Sequence, residues 1–144
     1  MATAPPIPGT DEVLSEFGWW PSFHDAEVIH FTLSRGATPE ERKSEAQLDV
    51  QVREYETRHA GTAQYAQALI KNVVIQFAFA GVEELHVEDF NFQNVINSLN
   101  IRRESEAPES KIRVEVESIY GFSASFVCST ARVASVSRFL TSEA

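Results

Sequence analysis

The chain has 144 residues and a single cysteine, Cys128, so an intrachain disulfide is excluded and the length suits one domain that buries a core without covalent staples. Its net charge is −9, spread over both halves of the chain, which disfavours nucleic acid as a partner because phosphate binding rests on Lys and Arg. No run of about 18 apolar residues is present to cross a bilayer as a helix.

Residues 1–9 are rich in Pro, lack the basic and apolar regions of a secretory signal, and read as a flexible N-terminal arm ahead of a single domain over 10–144. A cytoplasmic protein is expected. Thr10 or Asp11 is placed to cap a short helix through Val13, Leu14 and Phe17, with Gly18 ending it. The next residues, Trp19-Trp20-Pro21-Ser22-Phe23-His24-Asp25-Ala26-Glu27, hold both tryptophans of the protein beside a His-Asp-x-Glu run. Each aromatic ring there can bury about 150–250 Å², so this stretch is expected to plug one end of the core.

From Ala26 to Ser34 the residues alternate as a strand, with Ile29, Phe31 and Leu33 on one face. If extended backbone reaches back through Phe23, then Phe23, Asp25 and Glu27 share that face. A second strand runs from about Ala46 to Glu56 with Leu48, Val50 and Val52 inward, and a third from Ala68 to Ala80 is apolar enough to be central, its Val73–Phe79 part covered on both faces or nearly so. Glu83 to Val87 continues as a short strand. Beyond it, Phe92, Val95, Ile96 and Leu99 recur at helical spacing, and Asp89 or Asn91 is placed to cap a second short helix. Three more strands follow, through Ile112-Val114-Val116, Phe122-Ala124-Phe126-Cys128 and Val133 to Leu140. The expected architecture is α+β: one antiparallel, meander-rich sheet of about six or seven strands carrying two short helices.

Three functions are open to these residues, an enzyme, a protein-docking module and a self-associating one. His24, Asp25 and Glu27, with His86, Glu88 and Asp89 as further contributors, have the side chains of a metal-dependent hydrolase. The same cluster reads as a structural motif with Trp19, Trp20, Pro21 and Phe23, in which an Asp accepts from His or from turn amides and fixes the aromatic turn. No metal and no cofactor are expected. Cys128 lies within an alternating strand and Ser22 lacks a nucleophile turn, so nucleophilic catalysis has no support; the six glycines are scattered and form no phosphate loop. Glu83, Glu84, Glu88 and Asp89, with Phe90 and Phe92 as aromatic anchors, form a candidate docking patch for a basic protein partner, or else a solvated edge. A self-associating structural module is the third possibility.

Trp20-Pro21-Ser22-Phe23-His24-Asp25-Ala26-Glu27-Val28, followed by a strand, a β-rich middle and the Asp89-Phe90-Asn91 to Asn94-Val95-Ile96 segment, resembles the bacterial immunity protein 50 family, from about Asp11 to Leu140. The resemblance implies a non-enzymatic cytoplasmic antitoxin of a polymorphic toxin system, whose partner is a cognate toxin domain rather than nucleic acid or membrane. A basic nuclease is one class of toxin that the acidity would suit.

Overall fold

In the computed structural model, residues 3–36, 44–58, 61–63 and 66–138 are described. Among them are one helix, α1 (Thr10–Phe17), and eight strands: β1 (Glu27–Arg35), β2 (Ser44–Arg58), β3 (Ala66–Ala80), β4 (Glu83–Glu88), β5 (Ile96–Arg103), β6 (Ile112–Ser118), β7 (Ser123–Cys128) and β8 (Thr130–Arg138). They make two four-stranded antiparallel sheets, ordered β1-β2-β3-β8 and β4-β7-β6-β5. The fold is therefore mostly β, with one strand more and one helix fewer than the sequence pattern suggested, and with two sheets in place of one.

The inward alternation is regular where it was most legible. Leu48 and Val50 on β2, Val73, Ile75, Phe77 and Phe79 on β3, and Ile112, Val114 and Val116 on β6 are all buried. They belong to one cluster shared by both sheets. Phe79 meets Phe126 edge to face at 5.0 Å, and Phe31 lies 5.1 Å from Phe122, so aromatic pairs join the two layers. β3 is an interior strand, as expected, but only its inward face is buried; Val74, Gln76 and Ala78 on the outer face keep partial exposure.

The N-terminal segment is docked rather than free from Ile7 onward: Ile7 is buried in the core and Val133 donates its N–H to the Pro8 carbonyl at 2.9 Å. Gly9 lies so close to Val133 that a Cβ would stand 2.4 Å from its carbonyl oxygen, and its φ of +91° precedes α1 in place of a side-chain cap. Gly18, at φ +82°, ends the helix by donating its N–H to the Leu14 carbonyl. Val13 and Phe17 are the buried side of α1. Lys71 of β3 staples its last turn, donating to the carbonyl and the carboxylate of Glu16, which also pairs with Arg138.

Two corrections arise around β1. Phe23 and Asp25 have φ of +64° and +68°, so extended geometry does not reach back from the strand and the supposed common face of Phe23, Asp25 and Glu27 does not exist. A bulge between Val28 and His30 then reverses the alternation, so that Val28 is buried and Ile29 is exposed. Residues 25–28 lie against residues 94–96 through Asp25 N–H to Ile96 O, Ile96 N–H to Ala26 O and Val28 N–H to Asn94 O. This corner ties the edge of one sheet to the edge of the other.

The second helix expected from Asp89 to Asn100 is absent. Residues 89–95 form a loop and Ile96–Arg103 is β5. The Asn94 side chain bonds the Asn91 amide and carbonyl, groups a helix would have used in its own ladder, while the β-branched Val95 and Ile96 are suited to a strand.

Candidate functional site

Register along the second sheet arranges its outer face in rows. His86, Ser125, Glu115 and Asn100 stand side by side across the four strands, and Glu88 and Ser123 lie in the next row with Glu117 and Ser98. The short serines of β7 leave a hollow of about 460 Å³ between walls that include His86 and Glu88 on one side and Glu115 and Glu117 on the other. At the opposite end of this face stand Arg102, Lys111 and Arg113. There Lys111 meets Glu83 at 2.6 Å across β7, whose Val127 is buried outside the common core. Arg102 pairs with Glu115 at 2.6 Å and Arg113 with Glu104 at 3.3 Å. Among the described residues, the acids of this face that form no ion pair are thus concentrated towards Glu88 and Asp89.

The six residues of the sequence-derived docking patch do not form one surface. Glu88, Asp89 and Phe90 lie together where β4 turns into the 89–95 loop, with Asp89 at φ +57°. Glu83 is at the other end of β4, neutralised by Lys111, and Glu84 occupies an exposed bulge at φ +54°. Phe90 packs edge to face on Phe122 at 5.6 Å and keeps half its surface, whereas Phe92 is 94% exposed.

The loop is held from within by Asn94, 2% exposed. Its carbonyl oxygen accepts from the Asn91 and Phe122 amides at 2.9 and 3.2 Å, and its amide donates to the Asn91 and Val28 carbonyls at 2.6 and 3.3 Å. One side chain therefore joins β1, the loop and the start of β7. The β6–β7 turn lies alongside: Ile119 and Tyr120 both donate their N–H to the Val95 carbonyl, and both side chains are exposed. Gly121, at φ +73°, leaves no room for a Cβ, which would stand 2.6 Å from the Gln93 carbonyl and 2.7 Å from the Asn94 side-chain oxygen. None of Asn94, Ile119 or Tyr120 was singled out from sequence; the Asn91-x-x-Asn94 spacing beside Tyr120-Gly121 was the available signal, and a helical reading of the loop concealed it.

The His-Asp-x-Glu run is placed differently. Trp20, Pro21 and Phe23 are buried, with Trp20 and Phe23 meeting each other at 5.6 Å and Phe77 at 6.3 and 6.1 Å, while Trp19 is exposed. His24 and Asp25 are both exposed and 3.6 Å apart. The closer partner of His24 is Asn97, whose oxygen lies 3.0 Å from Nδ1. Because Asn97 donates its amide to Glu117, its oxygen accepts, and Nδ1 of His24 is the donor. Glu27 lies on the outer face of the first sheet opposite Gln51. His86, on β4, is at the opposite edge of the second sheet from Asn97 and so from His24. Among the described residues no three His, Cys, Asp or Glu side chains form a group that could hold a metal ion. Cys128 is fully buried, and burial pushes its thiol up to about 11. A larger hollow, about 510 Å³, lies at the other end of the molecule beside Pro6, Ile7 and Pro8, with Arg103, Arg132 and Glu45 among its lining.

The sequence profile of the family described as immunity protein 50 matches residues 9–139. The chain belongs to this family. No curated protein and no solved structure matches it. This member of the immunity protein 50 family carries Phe92, the most exposed aromatic side chain among the described residues, on a loop fixed by a buried asparagine. Among the described residues no helix is long and apolar enough to cross a membrane.

Proposed function

We propose that the protein is an immunity protein of a polymorphic toxin system, binding a cognate toxin domain in the cytoplasm and neutralising it by occupying its surface rather than by chemistry. Membership of the immunity protein 50 family carries this reading. The net charge of −9 supports a basic partner, a nuclease being one such toxin, because a negative field speeds encounter with a positive surface. The partner-facing region is taken to centre on Glu88, Asp89 and Phe90, with Glu83 and Glu84, further along β4, adding only to the field that acts on approach; the aromatic ring acts in the bound state.

The deciding experiment expresses the protein encoded next to this gene, as the candidate toxin, alone and together with this protein. Rescue of growth and a stoichiometric complex are expected; toxicity unchanged and no complex would sink the reading. For the acidic region, association of the toxin domain is measured with the wild type and a Glu83→Gln, Glu84→Gln, Glu88→Gln triple variant at two salt concentrations. The variant should bind more slowly and with less dependence on salt. Equal rates that both ignore salt would mean that these acids are only a solvated edge.

A further inference from the structure

The 89–95 loop and the 119–121 turn together expose Phe90, Phe92, Ile119 and Tyr120 at one end of the molecule. Single exposed apolar residues are ordinary, but four on two loops whose backbones are bonded to each other, one of them a Phe that is 94% exposed, are a concentration of apolar exposure of the kind that marks an interaction site. The backbone beneath them is fixed. Asn94 uses both its oxygen and its amide on it, Asn91 accepts from the Gln93 N–H at 2.8 Å, and Ser118 donates to the Gly121 carbonyl at 3.0 Å. A loop ordered before binding loses less entropy on association, so aromatic rings held this way are efficient anchors.

The surroundings indicate what is bound. Glu88, Asp89 and Glu117 flank the patch on the second sheet, while that sheet's Arg102, Lys111 and Arg113 stand at its far end. We infer that Phe92 and Tyr120, seated on the Asn94-braced loops, are the anchoring residues for the toxin, entering an apolar pocket of that protein whose rim carries Lys or Arg. This inference rests on the proposed function and narrows it to a surface that the acidic residues of β4 alone do not define.

The test measures binding of the purified candidate toxin encoded next to this gene to wild type, Phe92→Ser, Tyr120→Ser and the double variant. Tyr55→Ser, an exposed aromatic of the first sheet, is the control. Phe92→Ser should weaken binding about 10- to 100-fold, chiefly through faster dissociation, as is usual for a hot-spot aromatic. The control should stay within about threefold, where substitutions outside a hot spot lie. Melting of Phe92→Ser at the wild-type temperature confirms the fold. If wild type binds and the double variant binds equally well, this inference is overturned and the proposed function stands. If wild type does not bind, the function reading fails and this inference with it. A wild-type dimer made monomeric by Phe92→Ser, with toxin binding intact, would assign the patch to a second copy of the chain and also overturn the inference.

Discussion

Replacing Asn94 with Ala removes four hydrogen bonds from a side chain that is 2% exposed. The Phe122 amide lies in a buried setting and loses its acceptor, and the Asn91 amide, partly buried, loses the same one. An unsatisfied buried group costs about 1–3 kcal/mol; with water able to reach only the Asn91 side, the total should be about 2–4 kcal/mol. At about 3 °C per kcal/mol for a chain of this size, melting should fall by about 6–12 °C. Asn94→Asp separates the two halves of the network, since a carboxylate still accepts from both amides but faces the Val28 and Asn91 carbonyls with no proton to donate. That variant's carboxyl would therefore have a raised folded-state pKa. Its penalty would be present at neutral pH and would diminish as pH falls through that pKa, when a donor returns. Urea denaturation from pH 7 to pH 4 measures both effects. Asn94→Ala melting within about 2 °C of wild type, or an Asn94→Asp deficit that does not shrink at low pH, would refute the role given to this side chain.

The two adjacent tryptophans should behave oppositely: Trp20→Ala, which empties a buried site against Phe23 and Phe77, should cost about 3–5 kcal/mol, and exposed Trp19→Ala within about 0.5 kcal/mol of zero. Equal losses in chemical denaturation would contradict that division. Asp25 is exposed at φ +68°, so Asp25→Gly should be neutral or stabilising and Asp25→Ala destabilising by about 1 kcal/mol, both read from melting curves. The reverse order would show that the Asp25 carboxylate matters more than its backbone. A hydrogen bond from Lys71 holds the Glu16 carboxyl below its usual range. Its contribution is therefore complete above the unfolded-state pKa and lost as pH falls through the lower folded-state one. Glu16→Gln should be less stable than wild type by about 1 kcal/mol at pH 7, with the gap closing in acid; a gap constant down to pH 3 would remove the ion pair from the account.

Much of the first sheet was legible because its burial is one-sided and its periodicity is two. Leu48, Val50 and Val52, then Val73, Ile75, Phe77 and Phe79, alternate without interruption, and the Thr10–Phe17 helix carries Asp11 and Glu12 in its first turn and its Gly at the end. What escaped were places where a side chain or a bulge overrides the pattern. The helical spacing of Phe92, Val95, Ile96 and Leu99 was coincidental, since Phe92 points to solvent and Ile96 to the core of a sheet. The bulge after Val28 likewise sends Ile29 outward, and no local residue type announces it. The acids of β4 read as one run along the chain, but pairing with β7 separates Glu83 from Glu88 and Lys111 neutralises the former.

The most aromatic stretch of the sequence and Phe92, the most exposed aromatic among the described residues, belong to one arrangement. Trp20 and Phe23 wedge against Phe77, and the left-handed turns at Phe23 and Asp25 bring the backbone of 25–28 alongside 94–96. Those backbone bonds fix the base of the 89–95 loop, and Asn94 carries the constraint onward to Phe122, on which Phe90 packs. A left-handed Phe costs of the order of 1–2 kcal/mol, and burial of its own ring, worth about 1.5–3 kcal/mol, offsets that cost. The wedge therefore holds a strained corner without a net loss, and the corner adds its backbone bonds to those that the 119–121 turn makes to the loop. The chemistry suggested by His24 and Asp25 is secondary in this arrangement. Their side chains face solvent, while the Asp25 N–H, bonded to Ile96, binds the loop to the core.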